Sequence, residues 1–530
     1  LRKLFIQFSV CIVAAEILFF FFLPVGLWSL VLFVPILILG WIDFLQKKQT
    51  IRRNFPVVGN FRYFFELIRP EINQYFVESN SDGVPFSREE RSVVYQRAKK
   101  QLDTLPFGTQ KNVYENGYEW INHSIQTTHV DKKNLRTIIG GPDCKKPYSA
   151  SLLNISAMSF GALSTNAILA LNGGAKDGGF AHNTGEGGLS PYHLKNEGDL
   201  IWQIGTGYFS ARNKDGTFSE NEFSKRAVLP QVKMIEIKLS QGAKPGHGGI
   251  LPAAKISKEI SEIRGVPMGA DVISPPSHSA FSTPIEMMHF IKLLRDASGG
   301  KPVGFKLCLG KRREFLALCK AMVKTGITPD YIAVDGGEGG TGAAPLEFSN
   351  HVGTPGVDAL IFVHNALVGF GLRDRVKILN SGKVTTGFGM IKRLALGADV
   401  IYAARTFMLA LGCIQALRCN SNHCPTGIAT QNPDLVSGLV ITDKRKRIGV
   451  FHSETMESLA HLLGAMGLSS AQELKPWHLM RRVNASEVKH YGEIYDYLES
   501  GILLGGDLPK DYERAFQQAS AETFRAIQQF

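Results

Sequence analysis

Three cysteines, Cys413, Cys419 and Cys424, fall within residues 412–431, spaced by six and then five, and Pro425 follows the last of them. Thiolates gathered this closely are soft ligands, and a proline after the final cysteine accompanies cluster ligands in ferredoxin-type sites. Three thiolates suit an iron-sulfur cluster with one corner missing. A tetrahedral zinc site needs a fourth ligand, and the nearest one, His423, adjoins Cys424 and is poorly placed to share its metal. The plainer alternative is three buried cysteines acting as small hydrophobes.

The cysteine stretch and its Cys-Pro-x-Gly-x-Ala-Thr-Gln tail resemble the cluster loop of glutamate synthases, where the same spacing holds a 3Fe-4S cluster beside an FMN-bearing barrel. The likeness runs from about residue 152 to about residue 468. It implies an FMN- and 3Fe-4S-dependent oxidoreductase acting on CH-NH2 donors. It also implies roles for residues outside the cysteine loop. Ser156-Ala-Met-Ser-Phe-Gly-Ala162 resembles a segment that lies along the flavin, which puts Ser156, Met158 and Ser159 at the cofactor. Asn183-Thr-Gly-Glu-Gly-Gly188 resembles one whose glutamate stands at the reactive face, making Glu186 a candidate for proton handling or ammonium positioning. An exposed loop glutamate is the alternative. Thr206-Gly-Tyr-Phe-Ser210 carries Tyr208 where the family has a carboxylate-gripping arginine.

The run Gln241-Gly-Ala-Lys-Pro-Gly-His-Gly-Gly-Ile-Leu-Pro252 resembles the oxo-acid loop, keeping Lys244 as a cation for an anionic substrate. His247 replaces a glutamate and Ile250 a glutamine, so a dicarboxylate loses partners worth about 1–3 kcal/mol each. His247 is either a new acid-base or cationic group at the substrate or a hydrogen-bonded loop residue. Lys306 ends an apolar strand and resembles the lysine at the flavin's pyrimidine edge. A lysine there needs a partner, because an unpaired buried charge is costly. Asp335-Gly-Gly-Glu-Gly-Gly-Thr-Gly-Ala-Ala-Pro345 offers the amides of Gly336 and Gly337 to the cofactor pocket, and Gly382, Lys383 and Arg405 are the phosphate candidates.

These residues need a scaffold. Short apolar runs at 152–157, 234–239, 303–307, 331–334, 377–379 and 400–403 end in glycine-rich loops and alternate with helical patterns. That alternation over a single long span predicts an α/β fold, a TIM (β/α)8 barrel at 136–445, with function on the loops after the strands. An open dinucleotide-binding sheet is disfavoured, since no Gly-x-Gly-x-x-Gly turn follows the first strand. Ahead of the barrel, residues 4–23 and 27–45 are almost wholly apolar, each near the ~20 residues of a membrane-spanning helix. Residues 1–46 therefore read as a transmembrane hairpin, with Glu16 facing a helix or staying wet. Arg2, Lys3, Lys47, Lys48, Arg52 and Arg53 put both ends, and the catalytic domain, on the cytoplasmic side of the inner membrane. Residues 47–135 read as a mostly helical connector packed on the barrel, with a capping box at Ser87 to Glu90 opening a helix to Leu102. Residues 446–530 read as a helical segment with possible homo-oligomer contacts.

Length predicts more than one domain, and seven cysteines in 530 residues point to a reducing compartment. The formal charge of +12 suits anionic lipid near the membrane end. There is no basic stripe with interleaved aromatics and no nucleic-acid motif, so nucleic acid is not an expected partner. No FAD- or NAD(P)H-binding half and no cysteine-nucleophile amidotransferase is read here. The expectation is reductive amination of a 2-oxo acid, 2-oxoglutarate or a relative, with electrons from a separate ferredoxin or flavoprotein reductase. An amine dehydrogenase running in reverse, or a non-catalytic flavoprotein binding a membrane partner, is the alternative.

Overall fold

In a computed structural model, residues 1–22, 24–101, 104–506 and 508–527 are described. The chain divides into two compact units, Leu1–Arg88 and Glu89–Phe530.

In the first unit, helices α1 (Arg2–Phe22) and α2 (Leu30–Leu45) are joined by a short 3-10 turn, Pro24–Ser29. Both apolar stretches are long enough to cross a membrane. They pair closely where Gly40 faces the Phe5 ring, and Phe5 meets Trp41 edge-on at 5.8 Å. Glu16 accepts a 2.5 Å hydrogen bond from Ser29 Oγ, which partly offsets a carboxylate among apolar residues. Asp43, wholly buried at the end of α2, accepts from Arg52 Nε (2.7 Å), Val57 N (3.0 Å) and Asn60 Nδ2. That network sets the chain's turn out of the hairpin into the helices Thr50–Asn54 and Gly59–Ile72.

The second unit is built on a closed eight-stranded parallel barrel. Its strands are β1 (Leu153–Ile155), β2 (His182–Asn183), β3 (Leu200–Ile204), β4 (Val232–Lys238), β5 (Val303–Leu307), β6 (Tyr331–Asp335), β7 (Lys377–Ser381) and β8 (Val400–Ala403). Closure comes from β8 pairing with β1, Ile401 against Leu153 through Ala403 against Ile155. The six expected runs are all strands; β2 and β3 were not foreseen. β2 is two residues long and polar, because Asn183 bonds inside the barrel rather than packing against helices. An antiparallel ladder, Arg136–Ile139 with Tyr148–Ser151, supplies Ile139, Tyr148 and Ala150 to the cluster that fills the barrel interior. The helices start where the chemistry allows: Ser164 caps Thr165–Gly178, and Thr283 with Glu286 forms a capping box before Pro284–Ala297. The 25-residue helix Ile441–Ala465 crosses Thr165–Gly178 at Gly174, where a side chain would strike Ile448.

Two expectations for the flanks change. The connector's helix spans Arg88–Ala98, and its expected end, Leu102, lies outside the described residues. The tail is not all helical: Leu479–Arg482 and Val488–His490 form a three-stranded antiparallel sheet with Glu119–Ile121 of the connector. Strand pairing between segments far apart in sequence leaves no helical period to read, which is why it was missed.

Candidate active site

The strands' carboxyl ends bring charged side chains together at one mouth of the barrel. Glu186, on the loop after β2, pairs with Lys238 at the end of β4, Nζ to Oε1 at 2.7 Å. Its carboxylate lies so close to Gly249 that a Cβ there would stand 2.6 Å from Oε1, so the β4 loop needs glycine at that position. Burial alone would raise the Glu186 pKa. Lys238, then Lys244 and Arg264, outweigh it and hold the carboxyl below its ordinary range. Lys306, ending β5, stands 3.3 Å from Asp335 Oδ2 at the end of β6. Burial opposes its charge, while Asp335 and Glu236 more than compensate and raise its pKa. Glu236 sits at the barrel centre, accepting from Gln203 Nε2 (2.7 Å), Asn183 Nδ2 (2.8 Å) and Tyr402 OH (3.2 Å), its pKa raised by burial. Four cations, Lys238, Lys244, Lys306 and Arg264, thus share the mouth with the carboxyls of Glu186 and Asp335, with Glu236 below them in the barrel. That balance favours an anionic ligand.

The loop after β4 carries Lys244, whose side chain is buried and whose Nζ donates to Ala343 O at 2.8 Å. Burial pulls its pKa down to about 8, against the attraction of Glu186. Arg264 was not singled out from the sequence, because it lies far along the β4 excursion on the helix Lys258–Arg264. It is nevertheless buried beside Gly161 and Gly187, donates to Phe160 O at 2.8 Å, and stands 5.2 Å from the Phe209 ring. Its Nε has no hydrogen-bond partner among the described residues, and burial lowers its pKa to about 10. An under-partnered buried guanidinium is a donor aimed at something else.

The remaining site residues fall into three groups. Ser156, Met158 and Ser159 line the loop after β1: Met158 N donates to Asn183 O at 3.0 Å, and Ser159 Oγ lies against Gly185. Tyr208 is fully buried and tied into the scaffold: Ala280 N donates to its OH at 3.1 Å, and its OH meets His278 Nδ1 at 3.0 Å. His278 Nε2 donates to Lys238 O at 2.9 Å, so a neutral ring leaves Nδ1 to accept from Tyr208. His247 contacts its own loop, Nδ1 at 2.9 Å from Gly248 O, and meets Phe348 edge-on.

On the β6 side the expected free amides are spoken for: Gly336 N donates to Ser381 O (3.2 Å) and Gly337 N to Thr354 O (2.8 Å). Those glycines provide close approach instead, as where Gly242 lies against Gly336 O with no room for a Cβ. Lys383, at a φ of 49°, is exposed, and Arg405 donates to Glu338 O at 2.7 Å. Arg393, missed in the sequence, lies beside Gly382: its Nη2 reaches Gly382 O and Glu338 Oε1 at 3.3 Å each, while Nη1 has no hydrogen-bond partner among the described residues. The glycines of this corner enclose the Glu338 carboxylate, which accepts from Gly356 N at 2.9 Å, so the phosphate end of a mononucleotide would use these donors and the Arg393 guanidinium only in place of that carboxylate.

Among the described residues no group of three His, Cys, Asp or Glu side chains is placed to hold a metal ion. The three cysteines do lie close enough to influence one another's ionisation. Burial pushes Cys413 up to about 12, and the charges of Cys419 and Cys424 add to this. Burial also works on Cys424, but Thr426 Oγ1 and the amides of Ala429, Thr426 and Ile428 outweigh it and lower its pKa. Lys255, buried between the loops, donates to Ala429 O (2.8 Å) and Ala162 O (3.2 Å) within range of the charges of Cys419 and Cys424. Gln415, Leu417 and Asn422 adopt left-handed φ of 57°, 55° and 62°, so the loop is held in a strained shape. Amide donors and a buried ammonium around the sulfurs suit an anionic thiolate centre. The loop is also stitched to the loop after β1, with Gln431 Nε2 donating to Gly161 O and Leu163 O at 3.0 and 2.9 Å.

Residues 101–469 match the conserved region in glutamate synthase. The glutamate synthase large subunit-like protein YerD of Bacillus subtilis (strain 168) is 38% identical over 492 residues, covering 85% of this chain and 93% of YerD. The archaeal glutamate synthase (NADPH) of Methanocaldococcus jannaschii is 34% identical over 359 residues, 68% of this chain and 66% of that protein. Against solved structures, mandelate oxidase with (S)-2-phenylpropionate gives a TM-score of 0.41 at 15% identity, over 76% of this chain and 98% of that one. The chain therefore spans nearly all of YerD, but just under two thirds of the archaeal enzyme.

Proposed function

Because the chain belongs to the glutamate synthase family, whose members are oxidoreductases acting on CH-NH2 donors, we propose that it catalyses reductive amination of a 2-oxo acid. In the balanced reaction the oxo acid, ammonia, two electrons and two protons give the amino acid and water. The observation that carries this reading is the pairing of Glu186 with Lys238 at 2.7 Å beside two further buried cations, Lys244 and Arg264.

Lys244 and Arg264 grip the substrate's carboxylate. Lys238 holds Glu186 ionised and oriented, so that Glu186 Oε2 can accept a proton from ammonium or position it at the oxo carbon. Lys306, anchored by Asp335, presents positive charge to negative charge that develops above β5. FMN, when bound between the β1 loop and the Gly382–Arg393 corner, would supply the hydride. Cys413, Cys419 and Cys424 would hold an iron-sulfur cluster, whose chemistry would be one-electron transfer with a separate ferredoxin or flavoprotein reductase as the electron source. Ile250 and the buried Tyr208, where the resemblance has a glutamine and an arginine, favour an acid with fewer polar groups than 2-oxoglutarate. Helices α1 and α2 are read as a membrane anchor at the inner membrane with the barrel on the cytoplasmic side.

The test is anaerobic purification in detergent, a count of flavin, iron and sulfide, and then a screen of oxo acids with ammonium against the photoreduced protein. Flavin reoxidation that needs both partners supports the reading. Reduction of the oxidised flavin by an amino acid alone would reverse the direction, and full cofactor content with no response to either would make the protein a binding flavoprotein.

A further inference from the structure

Beyond the hairpin, the first unit carries a helix whose apolar face is largely exposed. In Gly59–Ile72 the residues Phe61, Phe64, Phe65, Ile68 and Ile72 fall on one face at helical spacing, flanked on one side by Arg62, Arg69 and Glu66, while Tyr63 and Leu67, also exposed, extend the apolar surface on the other. Phe61, Phe64 and Phe65 are 58%, 51% and 57% exposed, and Phe61 and Phe65 stack on each other at 6.4 Å rather than on the core. The apolar surface continues into the following turn with Phe76 and Val77, both exposed. A run of aromatics this open is uncommon on a water-facing surface.

The helix's starting point is fixed. Asp43, at the last turn of α2, accepts from Arg52, Val57 N and Asn60, and Gly59 lies against the backbone of Arg52. The aromatic face thus begins at the end of the second apolar helix, where a bilayer crossed by α2 would end. Lys47, Lys48 and Arg62 are exposed near the same turn, and Arg69 is exposed at the helix's far end. Aromatics on one face and cations flanking it are the composition of a helix that lies in a lipid interface.

We propose that Gly59–Ile72 lies in the cytoplasmic headgroup region of the bilayer that α1 and α2 cross, its phenylalanines among the upper acyl chains and its arginines toward anionic headgroups. This rests on the membrane reading of the hairpin. The occupant of the aromatic face is lipid rather than a partner protein, because the face is continuous with the hairpin and shares its cationic border.

The experiment uses the full chain in nanodiscs of phosphatidylcholine and phosphatidylglycerol, with a fluorescent amino acid introduced by amber suppression at position 31, 62, 64 or 65. Quenching is compared for lipids brominated near the headgroup, lipids brominated near the chain end, and aqueous iodide. Expected is loss of emission at 64 and 65 with headgroup-proximal bromine, loss at 62 with iodide, and loss at 31 with bromolipid alone. Quenching at 64 and 65 by iodide alone, with 31 still lipid-quenched, overturns the proposal and leaves the face for a protein partner. Chain-end quenching at 64 and 65 overturns it in favour of a third buried segment. Iodide quenching at 31 removes the membrane reading, and this proposal with it.

Discussion

Glu186 and Lys238 form an ion pair at 2.7 Å, the lysine 8% and the glutamate 18% exposed, one on the loop after β2 and the other at the end of β4. Each charge is held where it is by the other, with Gly249 leaving room for the carboxylate. Breaking such a pair from one side leaves an uncompensated buried charge.

Glu186→Gln keeps the shape and removes the charge. If Glu186 manages the proton, kcat falls by about 10²–10⁴-fold, while flavin content stays at the wild-type level. Steady-state kinetics alongside a flavin count checks this. A kcat within twofold, about 0.4 kcal/mol on the tenfold-per-1.4 scale, would return Glu186 to a structural role.

With Lys244 as the substrate's cation in the proposed reaction, substrate binding should have a pH limit. Its pKa is lowered to about 8 by burial, so the ammonium carries its charge below that pH and loses it as pH rises through it. KM for the oxo acid should therefore climb between pH 7 and 9, losing a charge-assisted contact of about 1.5–3 kcal/mol. In Lys244→Gln, KM should start high and stay flat across the same window. Parallel KM profiles for the two proteins would exclude the residue from the substrate.

Tyr208 is a scaffold residue by its contacts. Removing its hydroxyl in Tyr208→Phe orphans Ala280 N and His278 Nδ1, at a cost of about 1–3 kcal/mol. Urea unfolding should show that loss with KM unchanged. A changed substrate range at unchanged stability would mean that the ring contacts substrate.

Lys255 is a buried ammonium that donates to two carbonyls, Ala162 O and Ala429 O, beside two cysteines. Lys255→Met should weaken retention of iron by about 10- to 100-fold, the usual effect of losing an outer-shell partner, and Lys255→Arg should retain most of it. Iron and sulfide analysis decides it. Equal iron in all three proteins would separate the ammonium from any metal centre.

Much of this was legible in the linear chain. Apolar runs closing on glycine-rich loops announce buried parallel strands, because a strand covered on both faces needs hydrophobic side chains throughout and its loop needs backbone freedom. Lys306 stands out for a related reason, since a charge ending such a run requires a partner, whereas Lys244 and Glu186 are picked out only by their place in segments that resemble the family's loops. Arg264, Arg393 and Lys255 did not stand out. Each sits on a helix or short turn with ordinary composition, and its position becomes informative only once the barrel curls that segment over the mouth or against the cysteine loop. β2 was invisible because two polar residues carry no period, and the connector-to-tail sheet because its strands lie hundreds of residues apart.

By itself, then, the order of residues determined the barrel, the two long apolar helices and the glycine-bounded loops, since burial, helix length and backbone freedom are local demands. Only the folded chain decided which charges meet. Ion pairing depends on distances between the ends of different strands: closure set Lys238 on Glu186 and Asp335 on Lys306, turned Tyr208 inward onto His278, and engaged the amides of Gly336 and Gly337 within the protein.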